Sequence, residues 1–429
     1  MKRKNKIIDG VIYDENGDAV FTKEMKSDYT LLIPTMLPIH FELLKNMLET
    51  FGYNAVVLDK RGTEVAATGL KYVHNDTCYP ATLVIGELLD AVFSGKYDTH
   101  KIALVISQTG GGCRASNYLY LLKKALKKAG YGYIPVLSFN IGGLKTQPGF
   151  QFSIPQFYNM AKCLFYGDLL MLLKNQCEPY EKQKGETESL VNFWTQKLAE
   201  EFKNKKFLKY KHIKSNFELI VKSFAKIELK NVKKVKVGIV GEIFVKYSPL
   251  GNNDLEKFLV QEDCEVYMPG LLDFMLYCIY NNVIDMRLYG MKKLTAWVSK
   301  IIYKFLLKKE EDIIKVVEEN SNFAPPTSFA ETLKMRDGYI SEGVKMGEGW
   351  LLTAEMVELI SRGINNIICA QPFGCLPNHI VGKGVMKELR ERNPKANIIA
   401  IDYDASASKI NQENRIKLML SNAKENLNN

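Results

Sequence analysis

The sequence lacks several motifs that would define its chemistry at once. It has no Cys-x-x-Cys pair, which argues against thioredoxin-like chemistry, zinc ribbons and ferredoxin-type cluster runs. It has no G-x-x-x-x-G-K-[ST] phosphate loop, so it carries no ATP-binding signature of its own. It also has no run of about 18 apolar residues, and the basic segment 1–9 has no apolar core typical of a signal peptide. We therefore expect a cytoplasmic protein that does not span a membrane.

The eight cysteines are scattered along the chain. Disulfides are not expected in a cytoplasmic protein of this size, so any metal site must be assembled from residues far apart in sequence. Three cysteines occur in polar or in glycine- and proline-containing loops, and these are Cys78, Cys113 and Cys375. The other five are interpreted as core or incidental residues, and these are Cys163, Cys177, Cys264, Cys278 and Cys369.

The net charge of +10 is concentrated in one segment. Residues 203–236 hold twelve lysines against two glutamates, Glu218 and Glu228, which accounts for the whole excess. A solvated helical face and a linker is the favoured interpretation. The alternatives are docking to an acidic protein or to a phosphate-bearing substrate. No nucleic-acid partner is expected, because the lysines are not interleaved with a recognisable nucleic-acid-binding fold.

Short apolar runs alternate with helical patterns in two parts of the chain. This alternation predicts βαβ units and parallel sheets, hence an α/β protein with two such domains. The predicted strands of the first domain are 29–34, 55–58, 102–106 and 134–139, and those of the second are 236–240, 265–269, 366–370 and 397–401.

The same pattern divides the chain into four parts. The expected parts are a polar leader (1–27), a first α/β domain (28–150), a helical connection that is lysine-rich at its end (151–232) and a second α/β domain (233–429) with a helical insertion (271–330).

Within the insertion, residues 291–307 form an amphipathic pattern. Trp297, Ile301 and Phe305 share one side, and Lys300 and Lys304 lie away from them. A helix that faces the core or a partner is the favoured interpretation, and a helix on a membrane surface is the alternative.

The segment Ser107–Arg114 is the centre of the functional interpretation. It links the predicted strand 102–106 to a helix, and parallel sheets place ligands at such strand ends. Gly110, Gly111 and Gly112 allow φ > 0 and a close approach of the backbone to a bulky cofactor. Cys113 is expected at a helix N-terminus, where the helix dipole and Arg114 would lower the thiol pKa. This combination predicts a thiolate that ligates a metal or a cluster.

Cys78 and Cys375 recur in similar places. Both are predicted in loops between a strand and a helix, next to Pro80 and Gly374 respectively. Cys78, Cys113 and Cys375 are therefore the candidate metal ligands. His379, four residues after Cys375, is a candidate acid or hydrogen-bond donor beside the metal, although a surface or capping role explains it equally well.

A zinc site is the alternative at these cysteines. His74 and Cys78, like Cys375 and His379, are four residues apart, but neither pair has the usual spacing of structural zinc.

Other acid–base groups are few. Functional or capping carboxylates often stand at element ends. The carboxylates predicted at such ends are Asp168, Glu242, Asp402 and Asp404.

From about Leu31 to Ala423 the chain resembles the 2-hydroxyacyl-CoA dehydratase superfamily. The resemblance is closest to the dehydratase-like part of the activase-fused and double-cubane cluster proteins. The motifs that carry it are Asn75-Asp76-Thr77-Cys78-Tyr79-Pro80, residues 108–118 from Gln108 through Gly110-Gly111-Gly112-Cys113-Arg114 to Tyr118, Tyr166-Gly167-Asp168, residues 241–247 with Gly241-Glu242, Pro372-Phe373-Gly374-Cys375-Leu376-Pro377-Asn378-His379, Asp402-Tyr403-Asp404 and Asn411-Gln412-Glu413-Asn414-Arg415.

The resemblance implies flavodoxin-like domains with helical insertions and a cluster at the domain interface. Cys78, Cys113 and Cys375 would hold a 4Fe–4S cluster with one iron open, and a separate ATP-dependent activase would supply a low-potential electron. The dehydratases are lyases of anaerobic metabolism, and in them that electron converts a 2-hydroxyacyl-CoA thioester to a ketyl radical. The resemblance thus implies an acyl-CoA substrate. We also expect the protein to form a dimer. No association with a membrane is expected.

Only three well-placed cysteines are present, so one 4Fe–4S cluster is favoured over an 8Fe–9S double cubane. The chain has no activase half and no identifiable CoA-binding residue. A non-catalytic cluster carrier or electron-transfer partner is therefore the second hypothesis, and a double-cubane reductase of small molecules is a variant of the first.

Overall fold

The computed structural model describes residues 6–74, 76–108, 112–139, 147–204 and 209–428, with side chains up to residue 425. These ranges contain ten strands and seventeen α-helices. The strands are β1 (Lys6–Ile8), β2 (Val11–Tyr13), β3 (Thr30–Ile33), β4 (Asn54–Val57), β5 (Ile102–Ser107), β6 (Val136–Phe139), β7 (Val235–Gly241), β8 (Cys264–Tyr267), β9 (Asn366–Pro372) and β10 (Asn397–Tyr403). The helices are α1 (Met25–Asp28), α2 (Pro38–Thr50), α3 (Thr63–Tyr72), α4 (Tyr79–Phe93), α5 (Tyr118–Lys128), α6 (Ile154–Cys177), α7 (Glu186–Lys203), α8 (Tyr210–Phe224), α9 (Ile243–Tyr247), α10 (Leu255–Gln261), α11 (Leu271–Tyr289), α12 (Lys293–Asn320), α13 (Phe329–Met335), α14 (Trp350–Ser361), α15 (Leu376–Val381), α16 (Met386–Arg392) and α17 (Lys409–Asn428).

Two four-stranded parallel sheets form the framework. Their strand orders are β4-β3-β5-β6 and β10-β9-β7-β8, so each sheet has the order 2-1-3-4 when its own strands are numbered along the chain. The α/β prediction is confirmed, and all eight predicted strands are found within two residues at each end. Their continuous apolar runs identified them, because parallel strands are buried on both faces.

The two α/β domains share one buried core. Ile85 of α4 and Ile106 of β5, in the first domain, belong to the same apolar cluster as Ile239 of β7 and Ile368 of β9, in the second. The domains are therefore packed against each other at the level of their sheets.

The residues assigned to a polar leader are part of the first domain. β1 and β2 form an antiparallel hairpin, and Ala19, Val20 and Phe21 are buried. Phe21 packs in a cluster with Leu31 and Val105 of the first sheet. The prediction of a polar leader is therefore wrong for this part of the chain, because three apolar residues within a polar stretch are enough to hold it on the domain.

The helical connection and the helical insertion together build a separate helical core. It includes Phe165 of α6, Trp194 of α7, Phe217 of α8, Tyr277 of α11 and Val317 of α12. None of the helices in the described ranges has both the length and the apolar character needed to cross a bilayer.

Asp168 lies in the middle of α6, so its predicted position at an element end is wrong. Its Oδ1 is 2.8 Å from His40 Nε2, and its two carboxylate oxygens accept hydrogen bonds from the backbone N–H groups of Leu271 and Leu272, each at 2.8 Å. Asp168 thus caps α11 from another helix, where the first N–H groups have no partner within the helix. Gly167 leaves room for the histidine, since a Cβ there would come within 2.3 Å of the His40 ring.

A buried carboxyl pair joins α11 to α12. Asp273 and Glu310 share a hydrogen bond, and Glu310 also accepts one from the Phe329 N–H at 2.9 Å. Burial raises the pKa of both carboxyl groups, and their mutual repulsion raises that of Asp273 further. The folded protein therefore retains a proton here that the unfolded chain releases.

This pair makes stability depend on pH. Since the folded state binds the extra proton, the free energy of unfolding is expected to fall between about pH 5 and pH 8. Glu310→Gln should make this slope shallower, because it removes one of the two acids. Glu318→Gln, on the exposed side of α12, is the control and should leave the slope unchanged, because Glu318 is not among the charges that act on the Asp273–Glu310 pair. Urea unfolding of the three proteins across this pH range measures the effect, and equal slopes in all three would contradict it.

Candidate functional site

Cys78, Cys113 and Cys375 each occupy the residue just before a helix. Cys78 precedes α4, Cys375 precedes α15, and Cys113 precedes a short 3₁₀ helix, Arg114–Asn117, that leads into α5. The predicted setting is right for Cys113 and Cys375, which follow β5 and β9. It is wrong for Cys78, because α3 stands between β4 and this residue, so its loop joins two helices.

The loops of Cys78 and Cys375 are in direct contact across the domain boundary. The Tyr79 N–H donates a hydrogen bond to the Phe373 carbonyl at 3.0 Å. Gly374 lies against Cys78, since a Cβ built on the glycine would be 3.1 Å from the Cys78 Cα. These contacts bring together two cysteines that are almost 300 residues apart in sequence.

Cys113 belongs to the same neighbourhood. Arg114, next to it, donates a hydrogen bond from Nη1 to the Gly374 carbonyl. The ionisation of Cys78 raises the pKa of Cys113, and that of Cys113 raises the pKa of Cys375, so each thiol lies within electrostatic range of another. The three predicted ligands are therefore gathered at one place between the domains.

The glycine run is only partly described. Gly110 and Gly111, predicted to approach a cofactor, lie outside the described residues. Gly112 is within them, and its N–H donates to the Met346 sulfur at 3.1 Å. The segment around Met346 therefore lies against the Cys113 loop, although no sequence motif marks it as part of the site.

Burial makes these thiols poor acids. It raises the pKa of Cys78 and Cys375 and raises that of Cys113 to about 11, with further upward contributions from nearby carboxylates. The expectation that the helix N-terminus and Arg114 would lower the pKa of Cys113 is therefore wrong. The physical reasons are desolvation of the thiol and the position of the Arg114 guanidinium, which hydrogen-bonds a carbonyl.

Two glutamates stand beside the thiols. Glu242, which follows β7 as predicted, caps α9 by accepting from the Val245 N–H at 2.9 Å. Glu348 is 7% exposed and accepts from the Ile243 N–H at 2.9 Å. Burial and the neighbouring Glu348 raise the pKa of Glu242 to about 8, and burial raises that of Glu348 as well. This carboxyl pair can hold a proton at neutral pH next to the cysteines.

Glu348 is the main site residue that sequence reasoning missed. It lies in Met346-Gly347-Glu348-Gly349, far from any cysteine in sequence. The two glycines, both with positive φ, mark a special turn and were the signal that could have identified it.

Tyr118 and His379 are two further side chains near the candidate cysteines. The buried Tyr118 hydroxyl is 3.1 Å from the Cys78 sulfur, which places a hydrogen-bond donor on a candidate ligand. His379 is exposed, and its Nδ1 lies 2.7 Å from the carbonyl oxygen of Cys375, one turn earlier in the helix. This contact ties the imidazole to its own helix, which suits a surface histidine, and among the described residues no further hydrogen bond or ion pair of this side chain supports the predicted role as an acid.

The remaining predicted residues take ordinary positions. Asp404 directly follows β10 and Asp402 lies near its end. All eight cysteines are free thiols, and of the five assigned to the core only Cys278 is partly exposed.

Within the described ranges, no group of three or more His, Cys, Asp or Glu side chains is arranged to hold a single metal ion. His74, in the zinc alternative, is 71% exposed and faces Asp76.

Part of the lysine-rich segment lines a large cleft away from the cysteines. The cleft has a volume of about 1620 Å³ and includes Lys230, Lys233 and Lys236. It lies at the amino-terminal ends of β7, β9 and β10, opposite the edge that carries Glu242 and Cys375. The lysines therefore do not take part in the cysteine site.

No family model matches this sequence, and a search of curated proteins finds no match.

The contact between Gly374 and Cys78 can be tested by substitution. Gly374 has φ +74°, so Gly374→Ala adds backbone strain of about 1–2 kcal/mol and places a Cβ against the Cys78 loop. Gly95 is a matched control, because it has φ +69° but nothing within 4 Å of its Cβ position. We expect Gly374→Ala to lower the free energy of unfolding more than Gly95→Ala does. Equal losses, measured by urea unfolding, would show that the loops can separate without cost.

Proposed function

We propose that this chain is an iron–sulfur protein related to the 2-hydroxyacyl-CoA dehydratases. In this proposal Cys78, Cys113 and Cys375 hold a 4Fe–4S cluster, and a separate ATP-dependent activase reduces it. The observation that carries the proposal is the convergence of three cysteines from three distant segments, each directly before a helix. Cysteines that only fill the core would not be expected to occur together at the residue before a helix.

The sheet topology supports the proposed fold relationship. The order 2-1-3-4 in both sheets equals the first four strands of the flavodoxin-like order, in which ligands bind where the order reverses, between strands 1 and 3. Cys113 and Cys375 follow the third strand of their domains, β5 and β9, and Glu242 follows the first strand of the second domain, β7. The candidate site thus lies at the carboxyl ends of strands where the order of each sheet reverses, which supports a flavodoxin-like relationship.

The donor set fits a cluster better than a single ion. Cubane clusters bind cysteine thiolates at separate irons, so three ligands leave one iron without a protein ligand. The thiols are neutral in the empty site, and binding would release their protons. Tyr118 would donate its hydrogen bond to the Cys78 sulfur, and hydrogen bonds to the sulfurs are one of the features that tune such a cluster.

The chain's own residues define what the site can do. When bound, the cluster would supply one-electron transfer. Glu242 and Glu348 would hold a proton beside the cysteines, and Arg114 would fix the Cys113 loop to the Cys375 loop. A proton source next to an electron source suits reductive or radical dehydration of a small molecule, with an acyl-CoA thioester as the proposed substrate class.

Metal analysis after anaerobic purification tests the proposal. We expect about four iron and four sulfide per wild-type chain, with most of both lost in Cys113→Ala. Cys264→Ala, a buried cysteine of β8, is the control and should keep them. About eight iron would indicate a double cubane. Zinc, or no metal under strictly anaerobic conditions, would overturn the proposal.

A cluster carrier that passes electrons is the second candidate. The observation that favours it is the exposed apolar surface beside Cys375, where Phe373, Leu376 and Ile380 are 52%, 67% and 54% exposed. Such a surface suits a docking protein. Dehydration of 2-hydroxyacyl-CoA thioesters in the presence of a reduced activase would favour the enzyme. Reduction of the cluster without turnover would favour the carrier.

A further inference from the structure

The first half of α12 has an apolar face that is exposed in the described part of the structure. Leu294, Trp297 and Ile301 are 74%, 62% and 50% exposed. The sequence favours a helix that faces the core or a partner, and among the described residues no segment covers this face. The exposed face comprises Leu294, Trp297, Val298, Ile301, Ile302 and Phe305, and we call these six residues the apolar stripe.

A different side of the helix attaches it to the protein. Ala296, Ser299 and Tyr303 are buried, and the Tyr303 ring packs on Tyr280 of α11 at 4.9 Å between centroids. At 100° per residue, these buried residues lie opposite the centre of the apolar stripe. The stripe is therefore not needed to hold α12 in place, and its exposure is unusual for a protein surface.

The apolar surface extends beyond α12. Tyr289, the last residue of α11, and Met291, in the turn that follows it, are 58% and 54% exposed. On the other side, Phe305 contacts Tyr158 of α6 at 5.8 Å between ring centroids, next to the exposed Phe157. The patch thus spans parts of three elements.

The charge around the stripe is of one sign. Residues 286–309 contain seven cationic residues and no aspartate or glutamate. Helical geometry places Lys293, Lys300, Lys304 and Lys308 along one edge of the stripe. Within the described parts of the chain, neither these four lysines nor Lys292 forms an ion pair, so their charge is available to a partner.

We propose that this face docks on an anionic lipid surface, with the apolar stripe in the interface and the lysines at the headgroups. Exposed Trp, Phe and Leu flanked by lysines are the composition of helices that lie in the membrane plane. A second copy of the chain is disfavoured, because pairing two stripes would bring together ten exposed lysines, five from each copy, with no acidic residue in either 286–309 segment. Such docking differs from spanning the bilayer and is independent of the proposed cluster.

Vesicle binding of the purified full chain tests the proposal. We expect co-sedimentation with phosphatidylcholine vesicles that contain phosphatidylglycerol, weaker binding at high salt, and little binding to pure phosphatidylcholine. Lys300→Gln with Lys304→Gln should weaken binding by about 30-fold, given roughly 1 kcal/mol per lysine. Trp297→Gln with Ile301→Gln should weaken it by about 30-fold or more.

The controls separate this face from general basicity. Lys211→Gln with Lys222→Gln removes two exposed lysines of α8 in the lysine-rich segment, and Leu418→Gln removes an exposed leucine of α17. Both proteins should bind the vesicles as the wild type does. An equal loss in the α8 variant would overturn the proposal, as would failure of the wild type to bind. A stable dimer that dissociates only when Trp297 and Ile301 are replaced would overturn it in favour of a second copy.

Discussion

Replacing Lys246 with Met is expected to lower the free energy of unfolding by about 3–5 kcal/mol. Lys246 Nζ lies 3.0 and 3.3 Å from the two carboxylate oxygens of Glu355, and each side chain is 3% exposed. Met fills most of the lysine volume, so the loss comes from a buried carboxyl group that has lost its cation. This is among the largest effects expected for a single substitution in the chain.

The loss should depend on pH and on the partner. Burial already raises the pKa of Glu355, and without Lys246 this pKa should rise further. The loss of stability in the variant should therefore be smallest at low pH, where Glu355 is protonated, and largest at high pH. Replacing both residues with Met removes the buried charge as well and should recover most of the stability.

Lys409→Met provides the control for Lys246→Met. Its ion pair with Glu413 is largely exposed, so the change should cost at most about 0.5 kcal/mol. Urea unfolding of all four proteins measures the energies. A cost for Lys246→Met no larger than for Lys409→Met would mean that Glu355 is neutral in the folded protein.

Asp168→Ala is expected to cost about 3–4 kcal/mol, because it removes the three hydrogen bonds that join α6 to His40 and to the start of α11. Asp168→Asn keeps one oxygen acceptor and should cost less. The outcome is a lower midpoint of chemical unfolding and a loss of helical signal at lower denaturant concentration.

Asp337→Ala is a suitable control for Asp168→Ala. Asp337 is also paired, with Arg336, but its side chain is 73% exposed, so its loss should change stability by less than about 0.5 kcal/mol. If Asp168→Ala is equally mild, the N-terminus of α11 finds other partners, and the Tyr166-Gly167-Asp168 motif needs a different explanation.

The eight strands of the two parallel sheets were predictable because most of them contain a short apolar run between turn residues. Val235–Gly241 and Asn366–Pro372 are examples, and their parallel pairing follows from the helices between them. The α3 helix was not predicted, since Thr63–Tyr72 carries only a weak apolar pattern, and this misplaced the loop of Cys78. The burial of the Ala19–Phe21 segment was also not predicted, because the residues around it in sequence are polar.

The cysteines of the candidate site could be selected from sequence, but their surroundings could not. Loop composition singled out Cys78, Cys113 and Cys375. Nothing local indicates that Glu348 reaches the same place, because that depends on how the helical insertion returns to the second sheet. The pKa of Cys113 was predicted in the wrong direction for the same reason, since desolvation is a property of the assembled domains.

The joining of the Cys78, Cys113 and Cys375 loops across the domain boundary has a consequence for biosynthesis. Chains are made from the N-terminus, and domains generally fold in that order. Cys78 and Cys113 leave the ribosome long before Cys375, because 262 positions separate Cys113 from Cys375 along the chain. The Tyr79–Phe373 and Arg114–Gly374 contacts cannot form until then. Any group held by all three cysteines must therefore be inserted after the Cys375 loop of the second domain has been made, and the first domain must be stable until then.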